Sequence, residues 1–159
     1  LLDPLGVSIQ VSNMESDAVS TALDYAKVGQ MLLNGGAYGK QRFFSAKTQQ
    51  RMLPEPVVKY LPADSGVDPR IEWGMGTTPQ NPDVLGAGTY GHGSATESIL
   101  RVCPASDLVV VAVRNGAGRN FGKYRPLFIQ AVAQSLIGGP PTAGKAALPD
   151  PAGSQRPRD

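Results

Sequence analysis

The sequence predicts an α+β fold, with one small antiparallel sheet of three to four strands and helices on its flanks. Three observations carry this. Helical periodicity is confined to the stretches before Pro54 and after Asn120, and strand-like runs fill the middle. Elements that come in blocks rather than in alternation belong to α+β architectures. The strand-like runs are also short and joined by turn residues, which makes neighbours in sequence antiparallel neighbours in space.

Taken in order, Leu1 to Asn13 alternates loosely and reads as extended chain or loop. "DAVSTALDYAKVGQMLLNGG" reads as a helix with both ends marked. Ser20 and Thr21 are cap candidates, and Asp24 lies three residues after Thr21 in a capping-box-like start. Ala22, Ala26, Gly29 and Leu33, with Leu32 alongside, keep an apolar stripe at helical spacing. Gly35 and Gly36 supply the left-handed stop. "SAKTQQRML" is a second, shorter helix, capped by Ser45 and ended by Pro54. Pro54 to Pro69 carries prolines at 54, 56, 62 and 69 and reads as a long surface loop. "RIEWGMGTT" carries a strand around Trp73, loosened by Gly74 and Gly76, and "TPQNPDVLGAG" is turn material.

"TYGHGSAT", "SILRVCP" and "DLVVVAVRN" then read as strands. The last is the strongest signal in the chain, an apolar run bounded by Asp107 and Asn115-Gly116. "ASD", between Pro104 and Leu108, fits a hairpin turn. "FGKYRPLFIQAVAQSLIG" closes the fold as a helix, with Pro126 near its first turn. From Gly138 to Asp159 the chain is rich in Pro, Gly, Ala and charge and has no apolar period. Such a segment buries too little apolar surface to offset its chain entropy, so a disordered tail is expected. The expected division is a domain over 1–137 and a tail over 138–159.

Composition excludes several function classes. The net charge is +2 across 159 residues, with Lys and Arg scattered rather than striped, so no nucleic-acid partner is expected. No stretch approaches the ~20 apolar residues of a membrane span. Cys103 and His92 are the single cysteine and histidine, too few to build a zinc site unaided, and no metal is expected. No cofactor is expected either. Gly86, Gly88 and Gly91 spell G-x-G-x-x-G, but a dinucleotide loop needs a strand before it and a helix after it. Here turn residues precede it and a strand follows. Gly139, Gly144 and Lys145 have Walker-A spacing, but Ala146 stands where Ser or Thr would hold magnesium, and a helix precedes them.

Glycine inside a strand marks a place where a ligand or another backbone comes close. Gly88, Gly91 and Gly93 would leave one strand face bare, and His92 would project among small neighbours. Such a strand suits the wall of a substrate cleft. The alternative is a surface or packed histidine with no chemistry.

Several pieces of the chain are together similar to the serine β-lactamase-like family, which includes class C β-lactamases, D-Ala-D-Ala peptidases and related esterases. The pieces are Ser20-Thr21-Ala22 with Asp24, the run Met31 to Gly36, Ser45 with Thr48 and Met52, and "EWGMG", which resembles the family's aromatic-Gly-x-Gly strand. "YGHGSATESILRVCPASDLVVVAVRN" resembles the closing hairpin, in which a Lys-Thr-Gly or His-x-Gly strand lines the active site. The resemblance runs in register from about Val19 to Asn115 and implies acyl transfer through a serine on a small-molecule ester, amide or β-lactam. A Ser-x-x-Lys supplies the nucleophile, and a Tyr-x-Asn loop supplies a base or proton shuttle. His92 matches the basic residue of the third motif, supporting the substrate carboxyl or the proton relay. Gly93 and Ser94 fill the next two positions, beside the substrate. Ala95 falls where the backbone N–H serves the oxyanion hole, a role that needs no side chain.

The chain departs from the pattern in four places. It holds no Ser-x-x-Lys and no Tyr-x-Asn, both of which belong to the family's earlier half. Ser94 replaces a usual Gly, and Glu97 stands where Gly is common. A carboxylate there would raise the His92 pKa if the two met; the other reading is an exposed strand residue. The resemblance therefore implies the C-terminal portion of such an enzyme, and the absent initiator Met agrees. In the family, N-terminal strands add beside the last strand of the hairpin. "DLVVVAVRN" is accordingly expected to carry an unpaired edge, and the chain alone to be poorly stable or to self-associate. A non-catalytic relative that binds a ligand or partner is the alternative function.

Overall fold

The computed structural model describes residues 2–10, 18–80, 84–116 and 118–136. The expected tail over 138–159, with its Walker-like glycines, lies outside the described residues. Within them the fold is α+β, built on a four-stranded antiparallel sheet.

The chain opens with α1 (Leu2–Leu5), where extended chain or loop was expected. Four residues are too few to show a period. They are held by tertiary packing, in which Leu5 and Val7 are buried against Met31. α2 (Ala22–Leu33) starts at Thr21, whose hydroxyl accepts the Asp24 N–H at 3.1 Å, so Thr21 rather than Ser20 is the cap. It stops where Gly35 and Gly36 turn left-handed (φ 64° and 93°), with the Gly36 N–H donating to the Met31 carbonyl at 2.9 Å. β1 (Ala37–Tyr38) and β2 (Gln41–Arg42) form a small hairpin that the sequence did not announce. α3 (Ala46–Met52) begins at Ser45, whose hydroxyl accepts the Thr48 N–H at 3.1 Å.

The expected surface loop contains structure. β3 (Glu55–Pro56) leads into a 3₁₀ turn (Val57–Tyr60) and pairs antiparallel with β4 (Glu72–Trp73). Pro56 is tolerated because β3 has one partner only, so its missing N–H can face away from the ladder. β5 (Thr78–Pro79) likewise forms inside the expected turn material, at one edge of the main sheet.

The sheet order is β5, β6 (Tyr90–Gly93), β7 (Ile99–Cys103) and β8 (Leu108–Ala112). The β7–β8 connection is a 3₁₀ turn over Pro104–Ser106, closed by Asp107 at φ 49°, in line with the expected hairpin. α4 (Phe121–Ser135) ends the described chain. Pro126 sits inside α4 rather than in its first turn and removes one backbone donor there.

The sheet is covered on both faces, which is why β8 reads as a continuous apolar run and β7 as one interrupted only by Arg101. On one face Tyr90, Leu100 and Val102 pack with Leu33 of α2, and Val109 and Val111 join them. On the other, Cys103 and Val110 pack with Leu85 and Ala133, joined by Leu108, Ile129 and Val132. Each fully buried aliphatic side chain of this kind stabilises by about 1.5–3 kcal/mol. β8 pairs with β7 alone, so its outer edge has no partner strand among the described residues. This is the unpaired edge expected for "DLVVVAVRN".

Candidate functional site

The candidate residues sit at the open end of the β6–β7 hairpin. Tyr90 pairs with Val102, Gly91 with Arg101, His92 with Leu100, and Gly93 with Ile99. Alternation puts Tyr90 and His92 on the α2 face. Tyr90 is buried there, and its hydroxyl accepts a hydrogen bond from Gln49 Nε2 at 2.9 Å. Burial pushes the Tyr90 pKa up to about 12, against the smaller opposing effect of the Gln49 hydrogen bond. Two residues on, the strand has run past the helix, and His92 is exposed. Its ring meets Trp73 edge-on, with centroids 6.1 Å apart and planes at 75°. The His92 carbonyl accepts from Arg101 Nη1 at 3.2 Å.

Gly86, Gly88 and Gly91 have separate explanations, and Gly93 has none in the backbone. Gly86 and Gly88 (φ 118° and 75°) shape the turn that feeds β6, where Thr89 Oγ1 donates to the Gly86 carbonyl at 2.7 Å. A strand follows them, so the G-x-G-x-x-G pattern has no helix to open. At Gly91 a Cβ would lie 1.9 Å from the Leu100 carbonyl oxygen, so the close neighbour is another backbone. At Gly93 a Cβ would meet only the Ser98 carbonyl, at 3.7 Å, an ordinary contact.

Beyond Gly93 the chain folds into a tight turn. The Ser94 N–H donates to the Ser98 carbonyl at 3.0 Å, and the Glu97 N–H to the Ser94 carbonyl at 2.8 Å. The Ser94 hydroxyl accepts the Ser98 N–H at 3.1 Å and lies 2.8 Å from Thr96 Oγ1. Ser94 is thus occupied in shaping the turn, while Ala95 stands exposed at its tip. The Ala95 N–H has no acceptor among the described residues. Glu97 sits at φ 65°, a conformation that favours glycine. Its carboxylate pairs with Arg125 at 3.1 Å, not with His92, and it belongs to the turn rather than to an exposed strand.

The Glu97–Arg125 pair ties this turn to the first part of α4. There Phe121 lies under two guanidinium groups, Arg114 at 4.2 Å and Arg125 at 5.8 Å from the ring centroid. Ser98 Oγ accepts the Arg114 N–H at 2.9 Å and locks the hairpin turn to the end of β8. A cavity of about 470 Å³ opens here, lined by Arg114, Arg119, Asn120, Phe121 and Tyr124 with Gly118.

His92, Gly93, Ser94 and Ala95 are therefore contiguous and exposed. Trp73 joins them as a neighbour that the sequence marked as a strand residue but not as part of a site. Its contact comes from β4 crossing to the end of β6, a long-range placement with no local signal. Among the described residues, no cluster of three or more His, Cys, Asp or Glu is placed to hold a metal ion, and no helix is long and apolar enough to cross a membrane.

Comparison with protein-family models and with curated protein sequences yields no match. Among solved structures, the fold is similar to that of a β-lactamase from Mycobacterium bovis, with a TM-score of 0.60 and 20% sequence identity. The likeness covers 86% of this chain and 54% of that one, so the chain spans about half the length of the structure it matches. At this identity what the two share is the fold. The antiparallel sheet and its flanking helices form a β-lactamase-like fold.

Proposed function

We propose that the chain is the C-terminal segment of a β-lactamase-related serine hydrolase. It would act by acyl transfer on an ester, amide or β-lactam, with the nucleophilic serine lying outside these 159 residues. The observation that carries the proposal is the likeness to the M. bovis β-lactamase over 86% of the chain. The exposed position of His92 to Ala95 at the end of β6 supports it.

In this reading the Ala95 N–H donates to the oxyanion that develops on the substrate carbonyl. A donor fixed before the reaction stabilises the transition state by about 2.7–4 kcal/mol in comparable acyl-transfer sites. His92 supports the substrate carboxyl or relays a proton, and Gly93 and Ser94 line the substrate. Trp73, edge-on to the imidazole, limits the directions the ring can take.

The test is covalent labelling with a fluorophosphonate or penicillin probe. This chain alone is expected to remain unlabelled. The same chain encoded in frame behind a Ser-x-x-Lys and a Tyr-x-Asn is expected to label at the serine. His92→Ala would then lower turnover by roughly 10²-fold or more, the usual scale for a proton-transfer group. A labelled serine in the chain alone refutes the proposal, as does a genomic reading frame with no Ser-x-x-Lys upstream. The second reading, a non-catalytic relative that binds a ligand or partner, is favoured by one observation: neither nucleophile nor Tyr-x-Asn occurs in the sequence.

A further inference from the structure

We propose that the Glu97–Arg125 ion pair is a latch that sets the direction in which the 94–98 turn presents the Ala95 N–H, with Glu97 and Arg125 as positioning residues. The bonds that shape this turn are local. The Ser94 N–H to the Ser98 carbonyl, the Glu97 N–H to the Ser94 carbonyl, and the Ser98 N–H to the Ser94 hydroxyl all close within residues 94–98. Such bonds fix the shape of a turn but not its direction relative to the sheet. Packing does not fix it either, because Ser94, Ala95 and Thr96 are exposed. Gly93, where the turn leaves β6, has no side chain to limit a swing, and even a Cβ there would meet only the Ser98 carbonyl, at 3.7 Å.

Among the described residues, two side chains of the turn bond to distant parts of the chain. Ser98 Oγ accepts the Arg114 N–H at 2.9 Å, but Ser98 adjoins β7 and holds only the base of the turn. The other is Glu97, whose carboxylate accepts from Arg125 Nη1 at 3.1 Å, 28 residues on. Arg125 is a fixed point. It belongs to α4, which packs on the sheet through Ala133, Ile129 and Val132, and its guanidinium lies 5.8 Å from the Phe121 ring centroid. The backbone points the same way. Glu97 holds φ 65°, where a side chain is unfavourable. A residue persists in such a conformation when its surroundings over-determine it, and what glycine would lack here is the carboxylate. Both partners are partly exposed, so the hold is modest and open to screening by salt. The latch is a property of this fold, and only its catalytic consequence rests on the proposed function.

Amide exchange and backbone amide relaxation on the full chain test this. Arg125→Gln removes the latch and leaves the sequence of the turn untouched, and Glu97→Gln removes it while keeping the length of the side chain. Each should speed exchange of the Ser94 and Ser98 amides by roughly twofold to fivefold, the Boltzmann factor of one exposed ion pair. The Ala95 order parameter should fall from about 0.85 toward about 0.6. Arg125→Lys should recover part of both. Exchanging the charges, Glu97→Arg with Arg125→Glu, should recover most of both, which a merely structural role for either residue would not do. In the chain joined behind a Ser-x-x-Lys and a Tyr-x-Asn, Arg125→Gln should lower kcat by the same factor and leave KM nearly unchanged, because the Ala95 N–H would act on the transition state. Unchanged exchange and unchanged Ala95 order in both single variants overturn the latch, as does a charge exchange that rescues neither. An inactive joined chain in which the exchange differences persist supports the latch and counts against the hydrolase reading alone.

Discussion

Alanine at Gly91 and alanine at Gly93 should have opposite effects, although the two positions are neighbours on one face of one strand. At Gly91 the new Cβ would stand 1.9 Å from the Leu100 carbonyl oxygen and 2.8 Å from its carbon. The closest carbon–oxygen approach in sheets is about 3.3 Å, so β6 and β7 must part by roughly 1.4 Å here. A ladder bond of about 2.9 Å cannot survive that opening. Loss of about two such bonds, with their buried groups left unpaired, costs on the order of 3–6 kcal/mol. That is a large share of the roughly 5–15 kcal/mol available to a whole domain. At Gly93 the nearest atom to a new Cβ is the Ser98 carbonyl oxygen at 3.7 Å, so nothing has to move. There alanine should be neutral or stabilise by up to about 1 kcal/mol, because it narrows the unfolded ensemble. Urea unfolding followed by fluorescence of Trp73, the one tryptophan in the chain, reads both variants. The reasoning fails if Gly91→Ala unfolds within about 1 kcal/mol of the parent, or if Gly93→Ala is equally damaging.

Two further outcomes follow from the same region. Glu97→Gly should be more stable than Glu97→Ala by about 1 kcal/mol, because both lose the Arg125 pair and only glycine relieves the φ of 65°; equal stability in denaturant melts would show that the turn is unstrained. Tyr90 is held neutral by burial, with its pKa raised from 10.0 to about 12, so its contribution is intact below pH 10 and lost as pH rises from 10 through about 12. Over that window the parent should lose up to about 3 kcal/mol more than Tyr90→Phe, and parallel stability–pH curves would count against a buried phenol.

Much of the fold was legible because its signals are local. Thr21 with Asp24, Ser45 with Thr48, and Gly35-Gly36 each fix a helix end within four residues of sequence, and the backbone obeys them. β8 announces itself because cover on both faces demands an unbroken apolar run, and β7 does so despite Arg101 at its centre. β3 and β5 were illegible for the converse reason. Each is two residues long and half proline, and each is a strand only because a distant partner lies beside it: Glu55 opposite Trp73, and Thr78 opposite Gly91. Propensity argues against both segments, and tertiary context overrides it. α1 is a similar case, its helix being set by where Leu5 and Val7 can be buried.

The sequence marked His92 to Ala95 as one stretch, and the structure gives several of the surrounding residues a role in the fold itself. Several unusual features of "YGHGSATES" are accounted for by the fold. Gly91 is explained by the Leu100 backbone, and the Ser94 hydroxyl by the turn it closes. Glu97 is explained as the residue at a left-handed corner, anchored by Arg125 rather than by His92. A φ of 65° favours glycine, so backbone geometry constrains this position. What the fold leaves unused is the His92 imidazole, exposed beside Trp73, and the Ala95 N–H, with no acceptor among the described residues. Neither contributes a hydrogen bond to the turn that presents them. They are the two groups in this stretch that the fold does not use, and so the two whose substitution separates a catalytic reading from a purely structural one: neither is expected to cost stability when changed, and only the proposed hydrolase would lose activity.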